Sequence, residues 1–416
     1  MKRRLLFPLI VILVLSVSLA ACGGQAKTSA TEAAPAQQQA APEPTATAVK
    51  EATPTQQEAA QEPTAEVVEA TAEAPAAEET STRCGDKSKL SDTLNFFNWA
   101  DYIDENILTQ FEEECGVKVV MDNYTSNEEL IAKIAAGNSG YDVIVPTDYA
   151  VAIMADRGVL TELNKDDIPN IKNLDPKTMG MYYDPENKYS LPYQWSTTGL
   201  AYNTTVFPEP PDSWAAVFDP EQVCQHKGFV SMLDDSRETI GKALLYLGYD
   251  INETDPAAQK EALDLLTAQK ECIAGYNSEN FIQTLASEEV VMAEAWAFAA
   301  ALARLDNENI AYVIPKEGGT IWQDNMAIPI DAPHPYTAHV FINYILEPDI
   351  GAQLTEWAFG FTPNMASEAL LSDDYYNLMK EGGMIPDEET FKRLHWIKRS
   401  PGTEIFNDTW TALMSQ

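Results

Sequence analysis

The sequence predicts an α/β fold of two lobes with a ligand cleft between them. From residue 92 onward, strand-like and helix-like segments alternate, the pattern of parallel sheets covered on both faces. Setting the N-terminal region aside leaves about 330 residues of the 416, too many for one ordinary core and well suited to two lobes. Aromatic and acidic residues recur where the strands end, and open α/β sheets bind ligands at the carboxyl ends of their strands.

The N-terminus predicts the compartment. Lys2-Arg3-Arg4 is a basic n-region, and Leu5 to Ala21 is nearly all apolar. Leu19-Ala20-Ala21-Cys22 then matches a lipobox. The apolar run is marginal for a membrane span, and small residues follow it as at a cleavage site. An uncleaved anchor helix is the competing reading. The position of the cysteine favours a signal peptide over residues 1–21 and lipidation of Cys22. The protein is then extracytoplasmic, in the periplasm or at the cell surface, and lipid-anchored to the cell membrane. Residues 22–88 are dominated by Ala, Pro, Thr, Gln and Glu and contain no aromatic. Such a segment cannot bury enough apolar surface to offset its ordering entropy, so it reads as a disordered stalk.

The formal charge of −37 repels nucleic acid and anionic surfaces and attracts cations, although surface acid also merely keeps secreted proteins soluble. No nucleic-acid partner is expected. Besides Cys22, the cysteines are Cys84, Cys115, Cys224 and Cys272, which allow three pairings in a disulfide-permissive compartment. No CxxC spacing is present and histidines number four, so no metal site or cofactor is expected. Cys84 lies just ahead of the first strand and Cys115 just ahead of the second. Adjacent parallel strands start at one end of the sheet, so these two can meet. Cys224 and Cys272 likewise precede strand-like segments. The expected pairs are Cys84–Cys115 and Cys224–Cys272.

Leu94–Phe97 reads as the first strand, followed by a helix near 104–114 with Leu108 and Phe111 facing inward. Val117–Val120 is the next strand. Ser126 then caps a helix, with Glu129 completing a capping box. Tyr141–Pro146 is a third strand and Tyr149–Asp156 a helix. Strand segments resume at 228–233, 290–295 and 311–314, with helices near 237–247, 256–271, 336–346 and 349–357. This arrangement predicts two α/β sheets joined by crossing segments.

The stretch Gly318 to Pro329 places Trp322 and Asp324 two residues apart on a strand, so both side chains face one way. An indole face beside a carboxylate suits an ammonium ion, because the ring quadrupole attracts the cation and the carboxylate pairs with it. Alone, the pair reads as a core tryptophan and an aspartate opening a turn. Other strand ends add Trp99, Asp101 and Tyr102, then Thr147 and Tyr149, then Asp235 and Glu238, then Trp296. Singly, each aromatic reads as core and each acid as a helix N-cap, with Asp101 and Asp235 the obvious candidates. Jointly they describe an apolar-walled slot with acids, suited to a flexible polycation.

Residues 92 to 400 resemble the spermidine/putrescine-binding proteins of bacterial polyamine ABC importers. The matching pieces are NWADYI at 98–103, YDVIVPTDY at 141–149, YSLPYQW at 189–195, DDSRE at 234–238, PKEGGTIWQD at 315–324 and TPN at 362–364. The resemblance implies the type II periplasmic-binding-protein fold, with lobes over 89–197 plus 325–368 and 198–324 plus 369–416. It implies no enzymatic activity, a monomer, hinge closure on ligand and delivery to an ABC transporter permease. Asp324 matches the acid that grips an amine, and Trp99, Trp296 and Trp322 match the aromatic walls. Asp235 and Glu238 match acids from the second lobe. Asp101, Tyr102, Thr147 and Tyr149 match first-lobe contacts. Asp148 matches no contact, and its removal is expected to leave affinity nearly unchanged. Two positions depart from the family pattern. A tyrosine expected just before TPN falls on Gly360, and a glutamine expected near the C-terminus falls close to Ile397.

Rival readings are an enzyme and a binding protein for a quaternary amine, a sugar or ferric iron. The chain has no nucleophile elbow, HExxH or phosphate loop. Iron sites use tyrosine pairs and sugar sites neutral amides, whereas four slot acids favour a polyamine. Spermidine is the expected ligand, with putrescine the shorter candidate.

Overall fold

A computed structural model describes residues 82–416 apart from Asp101 and Ser400. Cys22, the stalk up to residue 81 and the predicted slot acid Asp101 therefore lie outside the described residues.

The strands are β1 (Thr93–Trp99), β2 (Lys118–Tyr124), β3 (Val143–Ile144), β4 (Ser190–Asn203), β5 (Val230–Met232), β6 (Gly275–Tyr276), β7 (Met292–Trp296), β8 (Ile310–Val313), β9 (Gly319–Ala327) and β10 (Leu394–Trp396). Helices alternate with them as the periodicity predicts, at Glu105–Cys115, Asn127–Ala135, Asp148–Asp156, Ser236–Leu247 and Pro256–Lys270. Further helices run over Ala297–Asp306, Pro335–Ile345 and Pro348–Ala358. Ser126 caps its helix, accepting from the Glu129 N–H at 3.2 Å. The Glu129 carboxylate reaches back to the Thr125 N–H rather than to Ser126.

The described strands form one sheet in the order β2-β1-β3-β9-β4-β7-β5-β6, with β10 pairing β9 and β8 pairing β4. This corrects the expectation of two separate sheets. The cause is β4, fourteen residues long and absent from the sequence reading. It is buried on both faces over almost its whole length, so its side chains do not alternate. Its first part pairs antiparallel with β9 from Ser190↔Ala327 to Thr198↔Thr320, and its second part pairs with β7 and β8. β4 and β9 thereby knit the strand groups into one surface.

Burial divides on either side of that seam. Phe96, Phe111, Val143, Phe341 and Ile350 pack in one cluster, with Phe97, Leu130, Ile144 and Met154 in a neighbouring one. Leu200, Trp214, Val230, Leu244 and Phe406 form another, adjoined by Ala293, Ala300 and Tyr312. Disulfides join Cys84 to Cys115 and Cys224 to Cys272, with sequence separations of 31 and 48.

Candidate functional site

β9 positions Trp322 and Asp324. Gly318 has φ +107°, a conformation that L side chains rarely adopt, and a Cβ there would collide with the Arg393 carbonyl. The Gly318-Gly319 turn thus lets β9 start against β10, which pairs at Leu394↔Gly319. Six residues on, Asp324 is 5% exposed, and Trp322 is 9% exposed on the same strand face.

Asp324 is held by Thr147, whose hydroxyl donates to Asp324 Oδ1 at 2.6 Å. Asn127 in turn holds Thr147. Its Nδ2 donates to Thr147 Oγ1 at 3.0 Å, and its Oδ1 accepts from the Thr147 N–H at 3.2 Å. Burial pushes the Asp324 carboxyl up to about 7, restrained by the Thr147 and Tyr102 hydroxyls. The Tyr102 hydroxyl is itself buried and has no hydrogen-bond partner of good geometry among the described residues. A chain of rings leads on from Tyr102. It lies 6.1 Å from Phe298, which stands edge-on to Trp322 at 6.0 Å and stacks parallel to Trp296 at 5.8 Å. Tyr102, Trp296, Trp322 and Asp324 are therefore brought together, with Phe298 at the centre. The Trp322 indole N–H is buried without a partner among the described residues.

Trp99 is half-buried at the end of β1. Its indole N–H donates to the Val145 carbonyl at 3.0 Å, and its ring packs on Tyr124 at 4.6 Å. Tyr149 and Asp235 meet in a second group, where the Tyr149 hydroxyl donates to Glu128 Oε1 at 3.4 Å. Burial, then Glu128 and Asp235, push the Tyr149 phenol well up. Asp235 is the N-cap of Ser236–Leu247, accepting from the Arg237 and Glu238 N–H groups at 2.8 and 3.0 Å. Burial first, then Glu238, lift its carboxyl to about 6. A cleft of about 340 Å³ is lined by Glu128, Tyr149, Ile153, Arg237 and Asn407.

Glu238, expected as a second-lobe acid, is buried and already engaged by its neighbours. Its Oε1 accepts from Thr198 Oγ1 at 2.9 Å, and its Oε2 accepts from Thr320 Oγ1 at 2.6 Å and Lys242 Nζ at 2.5 Å. Lys242 is fully buried and also lies 3.9 Å from Glu294, whose carboxyl burial lifts to about 7. Asp148 is also engaged by its neighbours. It is buried, accepts from the Tyr149 N–H at 2.5 Å, the Gln323 N–H at 3.2 Å and the Tyr182 hydroxyl at 3.2 Å, and is lifted by burial to about 8.

The sequence profile of the bacterial extracellular solute-binding protein family matches residues 106–380. The chain belongs to that family. It is 37% identical over 308 residues to the spermidine/putrescine-binding periplasmic protein of Escherichia coli, covering 74% of this chain and 86% of the relative. It is 34% identical over 355 residues to the putrescine/cadaverine-binding protein of Pseudomonas aeruginosa, covering 83% and 97%. Among solved structures, a putative spermidine/putrescine ABC transporter protein from Listeria monocytogenes superposes with TM-score 0.72 at 34% identity. That likeness covers 78% of this chain and 99% of the other. The fold is the type II periplasmic-binding-protein fold, and solute-binding proteins of this family carry out no catalysis.

Asn127, Phe298 and Gln194 were missed by the sequence reading. Asn127 follows its cap residue directly and looked like an ordinary first-turn residue. Phe298 sits two residues past Trp296, beyond the end of β7 and in the first turn of the helix Ala297–Asp306. Gln194 becomes visible only through its register opposite Asp324.

Proposed function

We propose that this chain binds a protonated polyamine outside the cytoplasm and hands it to an ABC importer permease. The observation that carries the reading is the buried Asp324 carboxylate on one strand face with Trp322, beside the Trp296–Phe298 stack. An enclosed ammonium loses hydration and needs a carboxylate partner, while the methylenes between amines need apolar walls. Both are present within one cluster. Asp235 offers a second carboxylate beside Tyr149. With Glu238 committed to Lys242, Asp324 and Asp235 answer two ammonium groups. A diamine such as putrescine is then a full match, and spermidine's third amine needs a further acceptor, for which Glu128 stands nearby.

The lobes are 89–197 plus 325–368 and 198–324 plus 369–416, with β4 and β9 as the segments that flex between them. Ligand groups from both lobes favour the closed form on binding. A signal peptide over residues 1–21 and lipidation of Cys22 would tether a monomeric binding protein to the membrane through the stalk. Calorimetric titration of the purified protein with putrescine, cadaverine, spermidine, glucose and Fe³⁺ tests the ligand class. Saturable heat with an amine and none with glucose or iron is expected. The opposite pattern sinks the polyamine reading.

A further inference from the structure

We propose that Gln194 is a specificity-determining contact, its amide oxygen accepting a hydrogen bond from the amine that Asp324 pairs. The inference rests on the polyamine reading above. Gln194 on β4 is the register partner of Asp324 on β9, so the two side chains rise from the same face of the sheet. Directly opposed residues on an antiparallel pair hold their Cβ atoms about 5 Å apart, within reach of one ammonium group. The Gln194 side chain is buried, 1% exposed. Its Nε2 donates to Thr355 Oγ1 at 3.1 Å. Its Oε1 is buried with no hydrogen-bond partner among the described residues. Buried carbonyl oxygens are almost always paired, so an orphaned one beside a binding carboxylate asks for a donor that binds there.

Gly360 explains why the amide can stand where it does. A Cβ at position 360 would collide with Gln194 Oε1. The missing side chain of this glycine leaves the volume to Gln194. A primary ammonium carries three N–H donors. Asp324 already accepts from Thr147 through Oδ1, so its free acceptor positions and Gln194 Oε1 can serve two of the three. A neutral acceptor adds no charge. It therefore rewards N–H donors at that amine.

Calorimetry of the protein with putrescine tests this. Gln194→Leu should weaken binding about 10- to 100-fold, the usual range for losing a hydrogen bond to a charged group. Gln194→Glu keeps the acceptor and should bind at least as tightly as wild type. Gly360→Ala, whose Cβ displaces the amide, should reproduce much of the Gln194→Leu loss, and the double variant should lose no more than Gln194→Leu alone. The unliganded Gln194→Leu protein should stay folded and melt close to the wild-type temperature, because losing the orphaned buried oxygen offsets losing the bond to Thr355. Should leucine fail to fold, Gln194→Met supplies an unbranched apolar replacement of similar length. Binding within threefold of wild type in a folded Gln194→Leu or Gln194→Met variant overturns the role of Gln194 and leaves the polyamine reading intact. Equal losses in Gln194→Leu and Gln194→Glu also overturn it. Absence of heat from wild type with every polyamine instead refutes the polyamine reading, and this inference falls with it.

Discussion

Replacing Asp324 by asparagine should stabilise the unliganded protein while abolishing tight binding. The Asp324 carboxyl ordinarily titrates near 3.8 and is lifted to about 7 by burial. A raised acid favours its neutral form in the fold. Stability is therefore greatest below the unfolded value and falls as pH rises from about 4 to about 7, where the folded group ionises. At 1.36 kcal/mol per decade, the cost at pH 8 is up to about 4 kcal/mol. At pH 5 only about 1.2 decades of that interval have been crossed, leaving about 1.6 kcal/mol. Asparagine has no ionisation to suppress and can still accept from Thr147 Oγ1. Thermal or urea unfolding without ligand should show Asp324→Asn more stable than wild type, with an advantage at pH 8 more than twice that at pH 5. With saturating putrescine the variant's advantage at pH 8 should shrink by about 2–5 kcal/mol, the affinity that wild type has and the variant lacks. An asparagine variant less stable than wild type at pH 8, or an advantage that does not change with pH, would refute the buried-carboxylate reasoning.

Polyamine affinity should rise with pH up to about 7 and then level, because the ligand needs Asp324 ionised and the empty site holds it protonated below that value. Titrations between pH 5.5 and 8 should show a loss approaching tenfold per unit on the acid side, and a flat profile contradicts the assignment. Lys242→Met leaves Glu238 and Glu294 buried without their cation and should cost about 3–5 kcal/mol in denaturant unfolding. Adding Glu238→Gln should recover part of that loss, and no recovery would argue against the ion pair as its cause. Asp148→Ala removes the acceptor of two backbone N–H groups and a tyrosine hydroxyl, so stability should fall by about 1–3 kcal/mol. A urea midpoint unchanged from wild type would show that water replaces the carboxyl without cost.

What the sequence made legible was whatever local chemistry decides. The two-residue spacing of Trp322 and Asp324 needs only strand geometry, and the N-cap role of Asp235 needs only its place before an amphipathic run. β4 was hidden because a strand buried on both faces shows no alternation, and Pro192 within it reads as a breaker. The ion pair of Glu238 with Lys242 was hidden because a Glu–Lys pair four residues apart looks like an ordinary exposed helix pair. Its burial follows from Thr198 and Thr320, which lie on strands remote in sequence. The burial of Asp148 was hidden in the same way, since the Gln323 N–H whose hydrogen bond it accepts comes from a strand 175 residues away. The Gln194–Asp324 register depends on an irregularity between Pro192 and Gln194, which no periodicity reveals.

The central claim is that an ammonium group sits against Asp324 with its methylene chain along Trp322 and Trp296. A crystal structure of the protein grown with putrescine reads this directly. The account predicts an amine nitrogen about 3 Å from the Asp324 carboxylate, charge-assisted hydrogen-bond distance, with the carbon chain against the two indoles. Ordered putrescine bound elsewhere, with Asp324 still closed on Thr147 and no density beside it, would contradict it.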